Sequence, residues 1–217
     1  MSVIKVNRSF ISILLIGVPL NFYAQQDRFI GGVLLNFNGI EFKGNTTQFW
    51  NGPSSEISGT LGFSAGLFVN RELSKSIYTK LEIRYIEKGS IYEFTSQYGS
   101  EAFQSVSLKY VEIPLLLGYK IKPFKKTYYL ECGFGFAKLI SSGVEENNST
   151  PRIGTPTATE FKLNDISWIV SYKFPLIKKW DEKCLFGLRV SRSITTINKY
   201  INISNFDYGI EVVYLFN

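Results

Sequence analysis

Residues 77–86 read IYTKLEIRYI, and the spacing inside this stretch decides the fold. Ile77, Leu81, Ile83 and Tyr85 fall on one parity, while Lys80, Glu82 and Arg84 fall on the other. Successive side chains of a β-strand point to opposite faces, so a strand here has one greasy wall and one charged wall. The split returns in Lys109–Lys120, where Val111, Ile113, Leu115, Leu117 and Tyr119 oppose Tyr110, Glu112, Pro114, Gly118 and Lys120. It returns in Tyr128–Phe136, with Tyr128, Leu130, Cys132, Phe134 and Phe136 against Tyr129, Glu131, Gly133 and Gly135. Near the end of the chain, Tyr208, Ile210, Val212, Tyr214 and Phe216 oppose Gly209 and Glu211.

Extending the same test along the chain marks eight segments: Phe29–Phe42, Gly59–Leu73, Ile77–Phe94, Gln104–Ile121, Thr127–Ser142, Phe161–Phe174, Cys184–Ile197 and Asn205–Phe216. No stretch after residue 26 carries apolar residues at helical spacing long enough to pack a core. A tilted strand crossing a bilayer needs about 9–11 residues, against roughly 5–6 for an ordinary globular strand, and most of these segments meet the longer demand. The links alternate in length. Glu72–Lys75, Lys122–Lys126 and Pro175–Lys183 are the shorter ones, whereas Lys43–Ser58, Lys88–Phe103, Ser142–Glu160 and Asn198–Ser204 are mostly longer and rich in Asn, Ser, Thr, Gly and Glu. Short turns on one rim and long polar loops on the other define a closed, antiparallel, up-and-down transmembrane β-barrel of about eight strands, all-β in class, with its N-terminus on the short-turn, periplasmic side.

Alternation alone does not say which wall faces out, because a soluble lipocalin-like barrel with an oily cavity has the same period. Glycine decides between them. Gly62, Gly66, Gly118, Gly133, Gly135, Gly187 and Gly209 crowd the polar parity, and the narrow inside of an eight-stranded barrel alternates small residues with large ones. The polar parity is therefore read as lumen and the apolar one as the lipid face, ringed by Tyr78, Tyr85, Tyr119, Tyr128, Trp168, Tyr172 and Tyr214, although Tyr78 falls on the lumen parity. Magnitudes agree: an Arg turned to lipid at the midplane costs about 2–4 kcal/mol. Inside, Lys80, Arg84 and Arg189 pair with Glu82, Glu112, Glu131 and Glu211, since an unpaired buried charge is expensive. Packing and neutralisation within a sealed lumen is the first reading of this network, and proton or ion relay the second. The faces predict that Leu117→Arg abolishes insertion while Gly118→Ser is tolerated better.

Composition narrows the function. Hydrophobic residues make up 45% and aromatics 16% of 217 residues, too apolar for disorder and biased toward strands. The net charge of +6 is not gathered into a basic stripe with interleaved aromatics, which disfavours a nucleic-acid partner. Residues 1–24 read as a signal peptide, with Lys5 and Arg8 before an apolar Phe10–Leu20 core and a small residue at Ala24, leaving residues 25–217 as the barrel domain. Cys132 and Cys184 fall on non-neighbouring strands and are expected as free, buried thiols. The sequence contains no His, which removes the commonest general base and metal ligand. With no GxSxG, P-loop or HExxH motif either, neither enzymatic activity, a catalytic residue, a cofactor nor a metal is expected.

Leu108–Ile121 reads LKYVEIPLLLGYKI, and here the chain resembles the PorT-like outer-membrane β-barrel family, whose members carry a similar Y-x-E-I-P-L-L-L segment in a central strand. The likeness extends to the eight-strand rhythm and the aromatic last strand, and it marks Glu112 and Pro114 as a family feature of structural meaning. Pro114 removes a ladder donor, which implies a bulge or kink there. The final Asn217 departs from chains that end on the aromatic itself. The resemblance implies a secretion-accessory role, in company with outer-membrane lipid and an envelope or secretion-complex protein; the residues themselves name no small-molecule ligand. Two readings follow: a small outer-membrane barrel with a filled lumen and a structural or interaction role, or a soluble exported lipocalin-like binder of apolar ligands.

Overall fold

The computed structural model describes residues 29–44, 54–95, 101–123, 126–146, 160–175, 183–200 and 202–216; the signal-peptide reading of residues 1–24 lies outside them. Among the described residues are nine strands: β1 Phe29–Gly44, β2 Ser54–Ser58, β3 Thr60–Glu72, β4 Ile77–Thr95, β5 Glu101–Ile121, β6 Tyr128–Glu146, β7 Asn164–Pro175, β8 Cys184–Ser193 and β9 Ile203–Leu215. Gly59 separates β2 from β3, and both pair with β4, so they form one wall position interrupted by a residue. Each strand is antiparallel to its neighbours, β9 pairs back to β1, and β4 pairs with β5, which closes a ring of eight.

The register sets the tilt. One row of paired residues runs Glu41, Phe206, Arg192, Trp168, Phe134, Leu115, Leu81, Val69 and returns to β1 at Gly31, ten residues below its start. With eight strands about 4.8 Å apart and roughly 3.3 Å per residue, that offset tilts the strands by roughly 40° from the barrel axis. Each residue then climbs about 2.5 Å, so the outward run from Tyr214 to Phe206 rises roughly 20 Å, close to the apolar band of about 25 Å on a membrane barrel.

The two walls fall as parity demands. Leu35, Phe37, Leu67, Leu81, Ile83, Leu115, Leu117, Phe134, Phe136, Leu188 and Ile210 are exposed on the outer wall, while Lys80, Glu82, Arg84, Glu112, Glu131, Arg189 and Glu211 are buried inside. Phe37 is 68% exposed and Arg84 1%, the reverse of a soluble barrel with an oily pocket. Tyr128 stacks on Tyr172 with centroids 6.1 Å apart, and Tyr214 meets Phe216 at 6.2 Å, both toward the short-turn rim.

Several expectations are corrected. Tyr78 is not a member of the outer aromatic ring: it is 2% exposed and points inward. Its ring lies where a side chain on Gly118 would sit, so Gly118 is a slot for an aromatic and a Ser there must displace the ring. The cysteines are free, but Cys132 is exposed and Cys184 half-buried; Cys132 shares its parity with Leu130 and Phe134, so it faces outward with them. The bulge is not at Pro114. Across Ile113, Pro114 and Leu115 the β5–β6 register is regular, while the β4–β5 ladder is interrupted between Leu81↔Leu115 and Arg84↔Glu112 without a change of register. The missing donor is thus absorbed by two unformed pairs. The real irregularity is between Lys109 and Tyr110, opposite Ser141 and Leu139, which leaves Ile140 as the extra residue.

Strand limits also move. Parts of the expected loops Lys43–Ser58, Lys88–Phe103 and Ser142–Glu160 are strand, because β2, upper β4, upper β5 and upper β6 continue the ladder beyond the apolar band. Conversely, β7 begins at Asn164 and β8 ends at Ser193; Phe161 lies outside the strands, bridged to Asn198, with its ring 6.2 Å from that of Phe42.

Candidate functional site

The lumen brings all seven expected charges together in two adjoining groups. In the lower group, Arg189 spans two carboxylates: its Nη2 is 2.9 Å and its Nη1 3.2 Å from the Glu82 oxygens, and Nη1 is 3.3 Å from Glu211 Oε1. Lys80 Nζ lies 2.7 Å from Glu82 Oε1 and 3.6 Å from Glu131 Oε2. Tyr78 donates its hydroxyl to Glu131 at 2.8 Å. In the upper group, Arg84 Nε donates to Glu112 Oε2 at 2.6 Å, and Ser167 Oγ donates to Glu112 Oε1 at 3.1 Å. Bidentate guanidinium–carboxylate pairs give orientation as well as attraction.

Four further charges complete the network. Lys173 pairs with Glu131 and sits 3.5 Å from Glu211 Oε2. Lys88 Nζ is 3.5 Å from Glu112 Oε1 and 3.1 Å from Asp165 Oδ2. Asp165 also accepts from Ser193 at 2.7 Å, Thr195 at 3.0 Å and Asn205 at 3.0 Å. Asp207 accepts from Ser191 at 2.5 Å. The signal for three of these was present: Lys173 shares parity with Asp165, and Asp207 with Glu211. Lys88 was hidden in the polar run EKGS, which reads as a loop.

Apolar side chains bracket the charges. Toward the short-turn rim, Leu34, Phe68, Leu185 and Val213 pack together beside the lower group, with Lys80 Nζ 4.3 Å from the Phe68 ring centroid. Toward the loop rim, Phe42, Ile86, Tyr92, Val106, Leu108 and Tyr110 belong to a larger buried cluster above the upper group. A cavity of about 40 Å³ opens at the short-turn rim beside Tyr78, Lys80, Tyr129, Glu131 and Lys173, room for only a few waters, since one needs roughly 10–15 Å³. Among the described residues no group of three or more His, Cys, Asp or Glu is arranged to hold a metal ion.

A closed ring of tilted strands, greasy outside and charged within, defines an integral outer-membrane β-barrel protein of small size. The chain belongs to the outer membrane protein beta-barrel domain family, whose model matches residues 23–212. Among solved structures it is similar to Ail, the attachment invasion locus protein of Yersinia pestis, with a TM-score of 0.47, 9% identity, and coverage of 86% of this chain and 98% of that one. Neisserial surface protein A matches with a TM-score of 0.48 and 10% identity over 88% of this chain and 100% of that one. OprG of Pseudomonas aeruginosa matches at 0.44 and 12% over 88% and 95%. No curated protein matches the chain in sequence.

Proposed function

We propose that this outer-membrane barrel is a sealed, non-catalytic platform that presents its loop rim to a partner in the cell envelope, with the N-terminus and short turns in the periplasm. The observation that carries this reading is the filled lumen. Lys80, Arg84, Lys88, Lys173 and Arg189 are matched against buried carboxylates, and an apolar cluster covers them on the loop side. Eight strands leave an interior just wide enough for side chains, and here that width is used by ion pairs whose disruption costs about 3–5 kcal/mol each. The network acts as a structural plug rather than as a relay.

The finer reading is a secretion-accessory role, suggested by the PorT-like segment Leu108–Ile121. A soluble lipocalin-like binder is not favoured, because the cavity side is charged and the outer wall apolar. Planar-bilayer recording and cross-linked pull-down from mild detergent test the proposal together. The expected outcome is no sustained conductance step and recovery of an envelope protein dependent on the loops. Steady single-channel conductance by the wild-type barrel would overturn the plug.

A further inference from the structure

Two cations stand on the outer wall where hydrocarbon should be. Lys138 of β6 and Arg192 of β8 are exposed and outward. Lys138 is flanked along its strand by Phe136 and Ile140, each 55% exposed, and Arg192 is followed by Ile194 at 59%. Across the ladder Arg192 pairs with Trp168 on one side and Phe206 on the other. Neither cation forms an ion pair with a described residue, and the outward positions of β6 to Ile140, of β7 and of β8 to Ile194 carry no acid.

The other strands are built differently. Their outward acids Glu41, Glu87 and Glu93 have partners: Glu41, on the same ladder row as Arg192 and two strands from it, meets Lys43 at 2.5 Å, Glu87 accepts from Tyr85 at 2.8 Å, and Glu93 accepts from Ser58 at 2.8 Å. Lys109 of β5 stands opposite Glu87 in register. Up to Ile140 and Ile194, the described outward wall of β6–β8 therefore carries no anion of its own. A lipid-facing Arg or Lys costs about 2–4 kcal/mol at the midplane and about 0–1 kcal/mol near the interface. Following the tilt, both cations lie toward the loop end of the apolar band, and Trp168, of the residue type that sits at headgroup depth, pairs with Arg192.

We infer that Lys138 and Arg192 bind the phosphate groups of an outer-leaflet glycolipid, held against the β6–β8 wall with its acyl chains over Phe136, Trp168 and Val190. The apolar side chains around both cations fit this wall to lipid, whose headgroup phosphate is the anion at that depth. Lys162 on the neighbouring segment, whose Nζ is held by Thr196 Oγ1, stands two residues beyond Asn164, the register partner of Lys138, and adds to the local positive field. The inference rests on the reading that the loop rim faces outward.

The test uses the full barrel in phosphatidylcholine nanodiscs doped with diphosphorylated lipid A, with its dephosphorylated form, or with phosphatidylglycerol, and retained lipid is counted by native mass spectrometry. Wild type is expected to keep the diphosphorylated glycolipid and to lose the other two. Lys138→Gln with Arg192→Gln should reduce that retention on the order of tenfold, with unchanged heat-modifiable migration as proof of folding, while Lys75→Gln, exposed in the β3–β4 turn at the other rim, retains it. Undiminished retention by the double variant, or equal retention of dephosphorylated glycolipid or phosphatidylglycerol, would overturn the site. A reversed orientation shows separately, as loops resistant to protease added to whole cells, and leaves the nanodisc result unchanged.

Discussion

On β5 a single strand passes through two regions with opposite rules. From Val111 to Leu117 the outward residues are Val111, Ile113, Leu115 and Leu117, and the inward ones include Glu112 beside Arg84. From Ser105 to Tyr110 the outward residues are Ser105, Ser107 and Lys109, while Val106, Leu108 and Tyr110 are buried within. Backbone and pairing are the same on both sides of the exchange. What changes is the solvent outside: hydrocarbon rejects charge from the lower wall, so the charges go inward and must pair there; water bathes the upper wall, so apolar side chains go inward as they do in any soluble protein. The barrel is a membrane protein below Tyr110 and a water-solvated β-structure above it.

Breaking an ion pair in the lower region should have the largest effect. Glu112→Ala strands Arg84 in the lumen, leaving Lys88 its bond to Asp165, and is expected to destabilise the barrel by about 3–5 kcal/mol, read by urea unfolding in lipid vesicles. Leu117→Arg comes next, at about 2–4 kcal/mol, visible as loss of heat-modifiable migration. Gly118→Ser must displace the Tyr78 ring and its bond to Glu131; overpacking of this kind costs about 1–3 kcal/mol, by the same unfolding assay. Ser107→Arg sharpens the comparison. On the same wall of the same strand as Leu117, it should change stability by less than about 0.5 kcal/mol, because that position faces water.

How much of this was legible in the sequence follows from the same division. Below the exchange, period-two alternation is strong enough to place every expected lumen charge by counting, from Lys80 to Glu211. Above it the alternation inverts and weakens, so Lys88–Phe94 reads both as the end of a strand and as part of a polar connection, although it continues the ladder. The bulge at Ile140 also shifts the phase of β6, after which Ser142 and Val144 rather than their neighbours are the more buried residues; no local composition announces that slip. Tyr78 misled for a different reason. Aromatics near a strand end suggest a girdle, yet parity already set Tyr78 inward, and Gly118, across the β4–β5 ladder, leaves the space its ring fills. Pro114 did mark a disturbed ladder, but two unformed pairs absorb it without a bulge.

The most direct measurement is accessibility along β5 in lipid nanodiscs. With Cys132 and Cys184 replaced by Ser, single spin labels at residues 105, 107, 113, 115 and 117 are exposed in turn to oxygen, which partitions into lipid, and to a water-soluble nickel chelate. Positions 113, 115 and 117 should respond to oxygen alone, and 105 and 107 to the chelate. A chelate response at 115 or 117 would place water against the apolar wall and contradict the account.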